Sequence, residues 1–112
     1  MRVQTKYGAV RTEVDGTSFA SKKEARRYSE LKLLERAGEI VDLALQPRFP
    51  LSVNRQLICT YVADFSYLKS GKNHTPEKPS FVVEDAKSFR TPEYKIKAKL
   101  IAALYGFSVS EV

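Results

Sequence analysis

The sequence holds very little cysteine and histidine, and this shortage excludes several classes of protein. Cys59 and His74 are the single residues of their types in 112 residues, and tryptophan is absent. One cysteine forms no intramolecular disulfide, and one Cys with one His supplies too few ligands for a structural zinc site. We therefore expect a fold that needs neither, in a reducing compartment such as the cytoplasm.

Long apolar runs are also absent, since no stretch approaches the ~18 residues that a membrane span needs. The first ten residues, MRVQTKYGAV, lack the apolar core of a secretory signal, so we expect neither a membrane protein nor an exported one. Positive charge, by contrast, is plentiful: 19 Lys and Arg stand against 13 Asp and Glu, a net charge of +6. This excess favours a polyanionic partner such as nucleic acid.

The apolar pattern predicts one α/β domain over residues 1–112. Residues 21–38 are predicted as a helix, because Ser21 and Glu24 match a capping box and Gly38 follows the last turn. Apolar residues recur through this segment at helical spacing, which gives the predicted helix one face for the core.

The predicted elements after this helix are β structure in residues 40–67, a strand at 81–87, a helix at 93–105 and a strand at 107–109. Within residues 57–67 apolar side chains alternate, which predicts one continuous strand. The predicted order is α-β-β-β-α-β around a mixed sheet flanked by two helices, since a helix between two strands most simply makes a parallel crossover. The second-helix residues expected in the core are Tyr94, Ile96, Leu100, Ala103 and Leu104.

Acidic residues at the ends of apolar strands carry the chemical signal. In the strand FVVEDAK, alternation puts Asp85 and Lys87 on one face and Glu84 on the other. Asp64 lies in the preceding strand, so the Asp64 and Asp85 carboxylates converge if the two strands are neighbours. Two close carboxylates stay ionised when a cation lies between them, and oxygen ligands suit Mg²⁺ or Mn²⁺. Such a cation can activate water for phosphodiester cleavage, with Lys87 near the phosphate.

Four strings of residues, in order, carry a resemblance to a known family: F-x-S-K-K-E-A, G-E-I-x-x-L-x-L-Q-P-R-F, Y-x-A-D-F-x-Y and V-V-E-D-x-K. With an Asp on one strand and Asp-x-Lys on the next, the chain resembles the PD-(D/E)XK nuclease superfamily. Over roughly residues 13–109 it is similar to a group of small phage-encoded members, and also to small Holliday-junction resolvases. The resemblance implies a restriction-endonuclease-like core, Asp64 and Asp85 as metal ligands, Lys87 as the catalytic lysine and Glu24 as a further ligand.

The function that follows from the resemblance is a Mg²⁺- or Mn²⁺-dependent DNA endonuclease that selects branched DNA, encoded by a phage and acting in the host cytoplasm. A homodimer is expected, because a four-way junction has two strands to cut. The alternatives are a nicking or repair endonuclease without junction preference, or a non-catalytic DNA-binding module that keeps the fold. A phage structural or assembly protein is a further alternative that no sequence feature favours. Residues expected to contact DNA are Lys22, Lys23, Arg26, Arg27, Lys69, Lys72 and Arg90.

Simpler interpretations stand beside these roles. The alternative role of Glu24 is to cap the first helix, that of Asp64 is to guard a strand edge, and that of Asp85 with Lys87 is to form a plain ion pair. Glu84 is expected to be exposed or paired with a helix, with a role as a substitute ligand left open. His74 is expected to be a solvated loop residue.

Overall fold

The computed structural model describes residues 12–70, 80–86 and 90–112, so Lys72, His74 and Lys87 lie outside the described residues. It has the predicted α/β fold, with two helices and a mixed sheet. The elements in chain order are β1 (Thr12–Val14), β2 (Thr17–Phe19), α1 (Lys22–Arg36), β3 (Ile40–Leu45), β4 (Arg48–Val53), β5 (Gln56–Val62), β6 (Phe65–Lys69), β7 (Ser80–Asp85), α2 (Pro92–Tyr105) and β8 (Val109–Glu111).

Both helices begin at the caps that their sequences provide. The Ser21 hydroxyl accepts a hydrogen bond from the Glu24 backbone N–H at 3.1 Å, and the Thr91 hydroxyl accepts one from the Tyr94 N–H at 3.0 Å. Helix α2 ends at Gly106, whose φ of 78° is the left-handed conformation that glycine adopts without steric cost. The starts of both helices and the end of α2 are therefore fixed locally.

The central sheet has the strand order β3-β6-β7-β8. Strands β3, β6 and β7 pair antiparallel, and β7 pairs parallel with β8, as expected for a strand reached through a helix. This arrangement makes β7 an inner strand, with a neighbour on each side. Its last residues therefore lie between the start of β6 and the end of β8.

The single strand predicted over residues 57–67 is wrong, because the chain breaks between β5 and β6. Strand β5 pairs with β4 in a separate two-stranded sheet, while β6 joins the central sheet. Two backbone hydrogen bonds join the strands across the break, from Gln46 N–H to the Asp64 carbonyl at 2.9 Å and from Ala63 N–H to the Pro47 carbonyl at 3.1 Å. Asp64 therefore lies at the junction between the β4–β5 sheet and the central sheet.

Each helix packs with its own apolar cluster. Helix α1 buries Ala25, Tyr28 and Leu31 in a cluster with Phe65 and Tyr67 of β6. A second cluster joins α2 to β4, β5 and β7, and its buried members are Leu51, Tyr61, Ala63, Val83, Tyr94 and Ile101. The sequence analysis also expected Ile96, Ala103 and Leu104 in the core, but all three are exposed, Ile96 by 61%, and Ile101 takes the buried position.

Candidate functional site

Asp64 and Asp85 lie at the same end of the central sheet. The register of β6 and β7 ends with Phe65 opposite Glu84, so Asp64 directly precedes β6 and Asp85 is the last residue of β7. The Asp64 backbone N–H donates to the Glu84 carbonyl at 3.1 Å, and the Asp64 carboxylate accepts a hydrogen bond from the Ala86 N–H. These two bonds involve the residues on either side of Asp85, so they hold Asp64 against the end of β7.

The two acidic side chains have different surroundings. Asp64 is half-buried, and its Oδ2 accepts a hydrogen bond from the Ala86 backbone N–H at 2.7 Å. Asp85 is 0% exposed although it carries an ionisable carboxyl group. A fully buried carboxyl group beside another carboxylate is costly in an apolar interior, so this position is a candidate for function.

Helix α2 and strand β8 supply further polar groups on the face of Asp85. The β7–β8 register pairs Asp85 with Glu111, which sequence analysis missed because it ended the last strand at residue 109. Glu111 lies 2.6 Å from the Arg90 guanidinium and accepts a hydrogen bond from the Tyr94 hydroxyl at 3.4 Å. Burial, together with the negative charges of Glu111 and Asp85, raises the pKa of Tyr94 to about 12. Tyr94 therefore remains a neutral hydroxyl beside these acids.

Glu84 projects from the opposite face of β7 and is also buried, with 1% exposure. Of the two expectations for this residue, exposure is wrong and pairing with a helix is confirmed. The Arg27 Nε and Nη2 atoms of α1 donate to its two carboxylate oxygens at 2.7 Å each. The Tyr67 hydroxyl of β6 donates to the same carboxylate. We call Arg27, Glu84 and Tyr67 the buried triad.

Two pKa shifts follow from these contacts. Hydrogen bonding to the Glu84 carboxylate raises the pKa of the Arg27 guanidinium above its ordinary value. Burial, assisted by the hydrogen bond to Glu84, raises the pKa of the Tyr67 hydroxyl to about 12. The triad therefore keeps a cationic Arg27 and a neutral Tyr67 around one acidic side chain.

Glu24 lies on α1 three residues before Arg27, and its side chain is buried. The capping role is confirmed in part, since its backbone N–H is held by Ser21. The structure does not gather Glu24, Asp64 and Asp85 into one group: within residues 12–70, 80–86 and 90–112, no three His, Cys, Asp or Glu side chains are arranged to hold a metal ion. The role of Glu24 as a ligand stays a prediction.

Glu111 at this end of the sheet is held by Arg90, so the candidate donors are the two carboxylates of Asp64 and Asp85. Such a pair fits Mg²⁺, which usually keeps several waters and is bound through one or two carboxylates together with substrate phosphates. It fits less well with Zn²⁺, which prefers nitrogen and sulfur ligands in a closed shell of four.

The basic residues proposed to contact DNA fall into two groups. Lys22, Lys23 and Arg26 have exposed side chains on the first two turns of α1, and Lys69 is exposed at the end of β6. Arg27 and Arg90, by contrast, are engaged by Glu84 and Glu111. The structure thus gives these two arginines acidic partners that the sequence did not reveal.

Neither α1 nor α2 is long and apolar enough to cross a membrane.

Comparisons with known proteins place the chain in a family. Searches among curated proteins and among solved structures found no significant match. A family model described as "Protein of unknown function (DUF1064)" matches residues 4–108. Because this match covers most of the 112 residues, the chain belongs to the DUF1064 family.

Proposed function

We propose that the protein is a metal-dependent DNA endonuclease with Asp64 and Asp85 as its metal ligands. The observation that carries the proposal is the pair of hydrogen bonds, from Asp64 N–H to the Glu84 carbonyl and from Ala86 N–H to the Asp64 carboxylate, which hold Asp64 against the end of β7 where Asp85 is buried. A fold gains no stability from placing one acid near another, and such an arrangement is typical of sites that bind a divalent cation. The resemblance to PD-(D/E)XK nucleases supports the same assignment.

Each residue has a definite part in this proposal. A bound Mg²⁺ or Mn²⁺ would supply an activated water and stabilise charge on the scissile phosphate. Asp64 holds the Ala86 N–H and so fixes the backbone directly before Lys87. Lys87 follows Asp85 by two residues, and its ammonium group is proposed to neutralise charge that develops on the phosphate. Glu24 remains a proposed third acidic group from α1.

The net charge of +6 and the exposed basic residues at the start of α1 support DNA as the substrate. These residues lie on the helix whose Arg27 contacts Glu84, the neighbour of Asp85. A domain of this size has little surface for reading a long base sequence, which favours recognition of phosphates and DNA shape. We extend the proposal to branched DNA, a homodimer with two matching sites and action in the cytoplasm of a phage-infected bacterium.

A cleavage assay tests this function. Supercoiled plasmid, linear duplex and a synthetic four-way junction are each incubated with the protein in Mg²⁺ and in EDTA. We expect Mg²⁺-dependent cleavage, fastest on the junction, and a loss of more than about 100-fold in Asp64→Asn and Asp85→Asn, because even the partners of metal ligands are worth roughly 10- to 100-fold.

The matched control is Asp42→Asn, which removes the same charge from an exposed position in β3 and should cleave normally. Plasmid nicking without junction preference would leave the simpler endonuclease in place. Binding of DNA without any cleavage would make the protein a non-catalytic module.

A further inference from the structure

We infer that Glu84 is a positioning residue for the carboxylate pair, an inference that rests on the proposed function. Glu84 and Asp85 are consecutive residues of β7 and project from opposite faces of the sheet. A restraint on the Glu84 side chain is therefore also a restraint on the backbone that carries Asp85. The buried triad provides that restraint from the face of β7 opposite the Asp85 side chain.

Glu84 connects the elements that carry or adjoin the three proposed ligands, Glu24, Asp64 and Asp85. Its carboxylate binds Arg27 of α1, one turn after Glu24, and Tyr67 of β6. Its backbone carbonyl accepts the Asp64 N–H at 3.1 Å. One residue thus sets the spacing of α1, β6 and β7 beside the site.

The form of the contact favours positioning over stability. Two parallel hydrogen bonds from a planar guanidinium fix both the distance and the angle between two elements. A buried ion pair contributes little net stability, because the desolvation of both charges offsets their attraction, and apolar replacements of similar volume are often neutral or stabilising. Geometry is then the property that the triad supplies and an apolar pair does not.

This reasoning predicts that fold and site can be separated. In the double variant Arg27→Met/Glu84→Leu both charges are replaced together, so neither is left buried alone. We expect it to stay folded and to unfold at a somewhat lower denaturant concentration than the wild type, because the buried Tyr67 hydroxyl loses its acceptor. The matched control is Lys32→Met/Glu35→Leu, which removes a surface ion pair of 2.8 Å from the same helix.

Two readouts report the site without relying on cleavage. The Ala86 amide is bound by the Asp64 carboxylate, so its hydrogen exchange measures the geometry between the end of β7 and Asp64. Mn²⁺ calorimetry measures the affinity of the pair. In the double variant we expect faster Ala86 exchange and a roughly 10- to 100-fold weaker Mn²⁺ affinity, with a similar fall in kcat and little change in KM. The surface control should match the wild type in every measurement.

Arg27→Lys separates positioning from simple charge balance, because lysine keeps the charge and loses the paired geometry. A positioning role predicts that its kcat stays low, whereas near wild-type kcat would mean that Glu84 needs only a cation. If the double variant fails to fold, the same measurements are made on Glu84→Gln, which preserves the size of the side chain.

A folded triad variant with wild-type Ala86 exchange and Mn²⁺ affinity would overturn the inference. If the wild type neither binds Mn²⁺ nor cleaves DNA, the proposed function fails. Exchange at Ala86 then still decides whether Glu84 positions this end of the sheet.

Discussion

The two faces of strand β7 place adjacent acidic residues in opposite situations. Glu84 and Asp85 are equally buried, with 1% and 0% exposure. On the α1 face, Glu84 is neutralised by a bidentate Arg27 and a hydrogen bond from Tyr67. On the α2 face, Asp85 lies at the end of β7, where the Asp64 carboxylate binds the N–H of the next residue, Ala86.

The difference separates a structural charge from a candidate functional one. An acid that helps to hold a fold is placed beside a cation, because the cation offsets its loss of hydration. An acid placed near another acid is less easily ionised, because each negative charge disfavours the other. The two faces should therefore respond in opposite ways when charge is removed.

The largest effect on stability is expected on the α1 face. Arg27→Met leaves the Glu84 carboxylate buried with one hydroxyl partner, and we expect the free energy of unfolding to fall by about 3 kcal/mol. Glu84→Leu should cost less, because Arg27 is 23% exposed and can turn toward water. Urea denaturation measures both variants.

The surface variant Lys32→Met serves as the control and should change the free energy of unfolding by less than about 0.5 kcal/mol. Equal costs for Arg27→Met and Lys32→Met would remove the distinction between a structural pair inside the fold and one on its surface.

On the α2 face, removal of charge is expected to stabilise the protein. Asp85→Asn relieves the repulsion between Asp85 and Asp64, so without divalent metal the free energy of unfolding should rise by ~1 kcal/mol. Denaturation in EDTA tests this variant, with Asp42→Asn as the exposed control. A clear loss of stability in Asp85→Asn would show that Asp85 is a structural charge like Glu84.

A smaller effect is expected at high pH, where each face contributes one buried tyrosine whose pKa is raised. The folded-state pKa values of Tyr67 and Tyr94 are raised to about 12 from an ordinary 10.0, so both contribute stability that is fully present below pH 10. That contribution is lost as the pH rises from 10 through 12. Tyr67→Phe and Tyr94→Phe should each flatten the fall in stability over this window.

Tyr105→Phe, at a half-exposed ring, is the control for the tyrosine variants. The denaturation midpoints of the wild type and the three tyrosine variants, measured from pH 9 upward, test this prediction. An unchanged slope in Tyr67→Phe would contradict the burial of its hydroxyl against Glu84.

Much of the fold was predictable because its signals are local. Caps at Ser21 and glycines at the helix ends mark both helices, and Asn54 with Arg55, both at positive φ, makes the tight turn between β4 and β5. The position of Asp64 at the end of β7 was also foreseeable, because it needed little more than β6 and β7 being neighbouring strands.

The features that sequence missed depend on partners far apart in the chain. Alternation through residues 57–67 continues across the break at Asp64, so periodicity alone did not reveal that two different sheets share that run. The Arg27–Glu84 pair spans 57 residues and joins a helix to a strand. Glu111 reaches Asp85 through a parallel register that the strand sequences leave open.

The most direct test of the central claim is calorimetric titration of Mn²⁺ into the wild type, Asp64→Asn, Asp85→Asn and the exposed control Asp42→Asn. If the Asp64 and Asp85 carboxylates are a metal site, the wild type and Asp42→Asn bind Mn²⁺ alike, while both site variants lose binding and stay folded. Unchanged Mn²⁺ binding in folded Asp64→Asn and Asp85→Asn would contradict the assignment of these two residues as metal ligands.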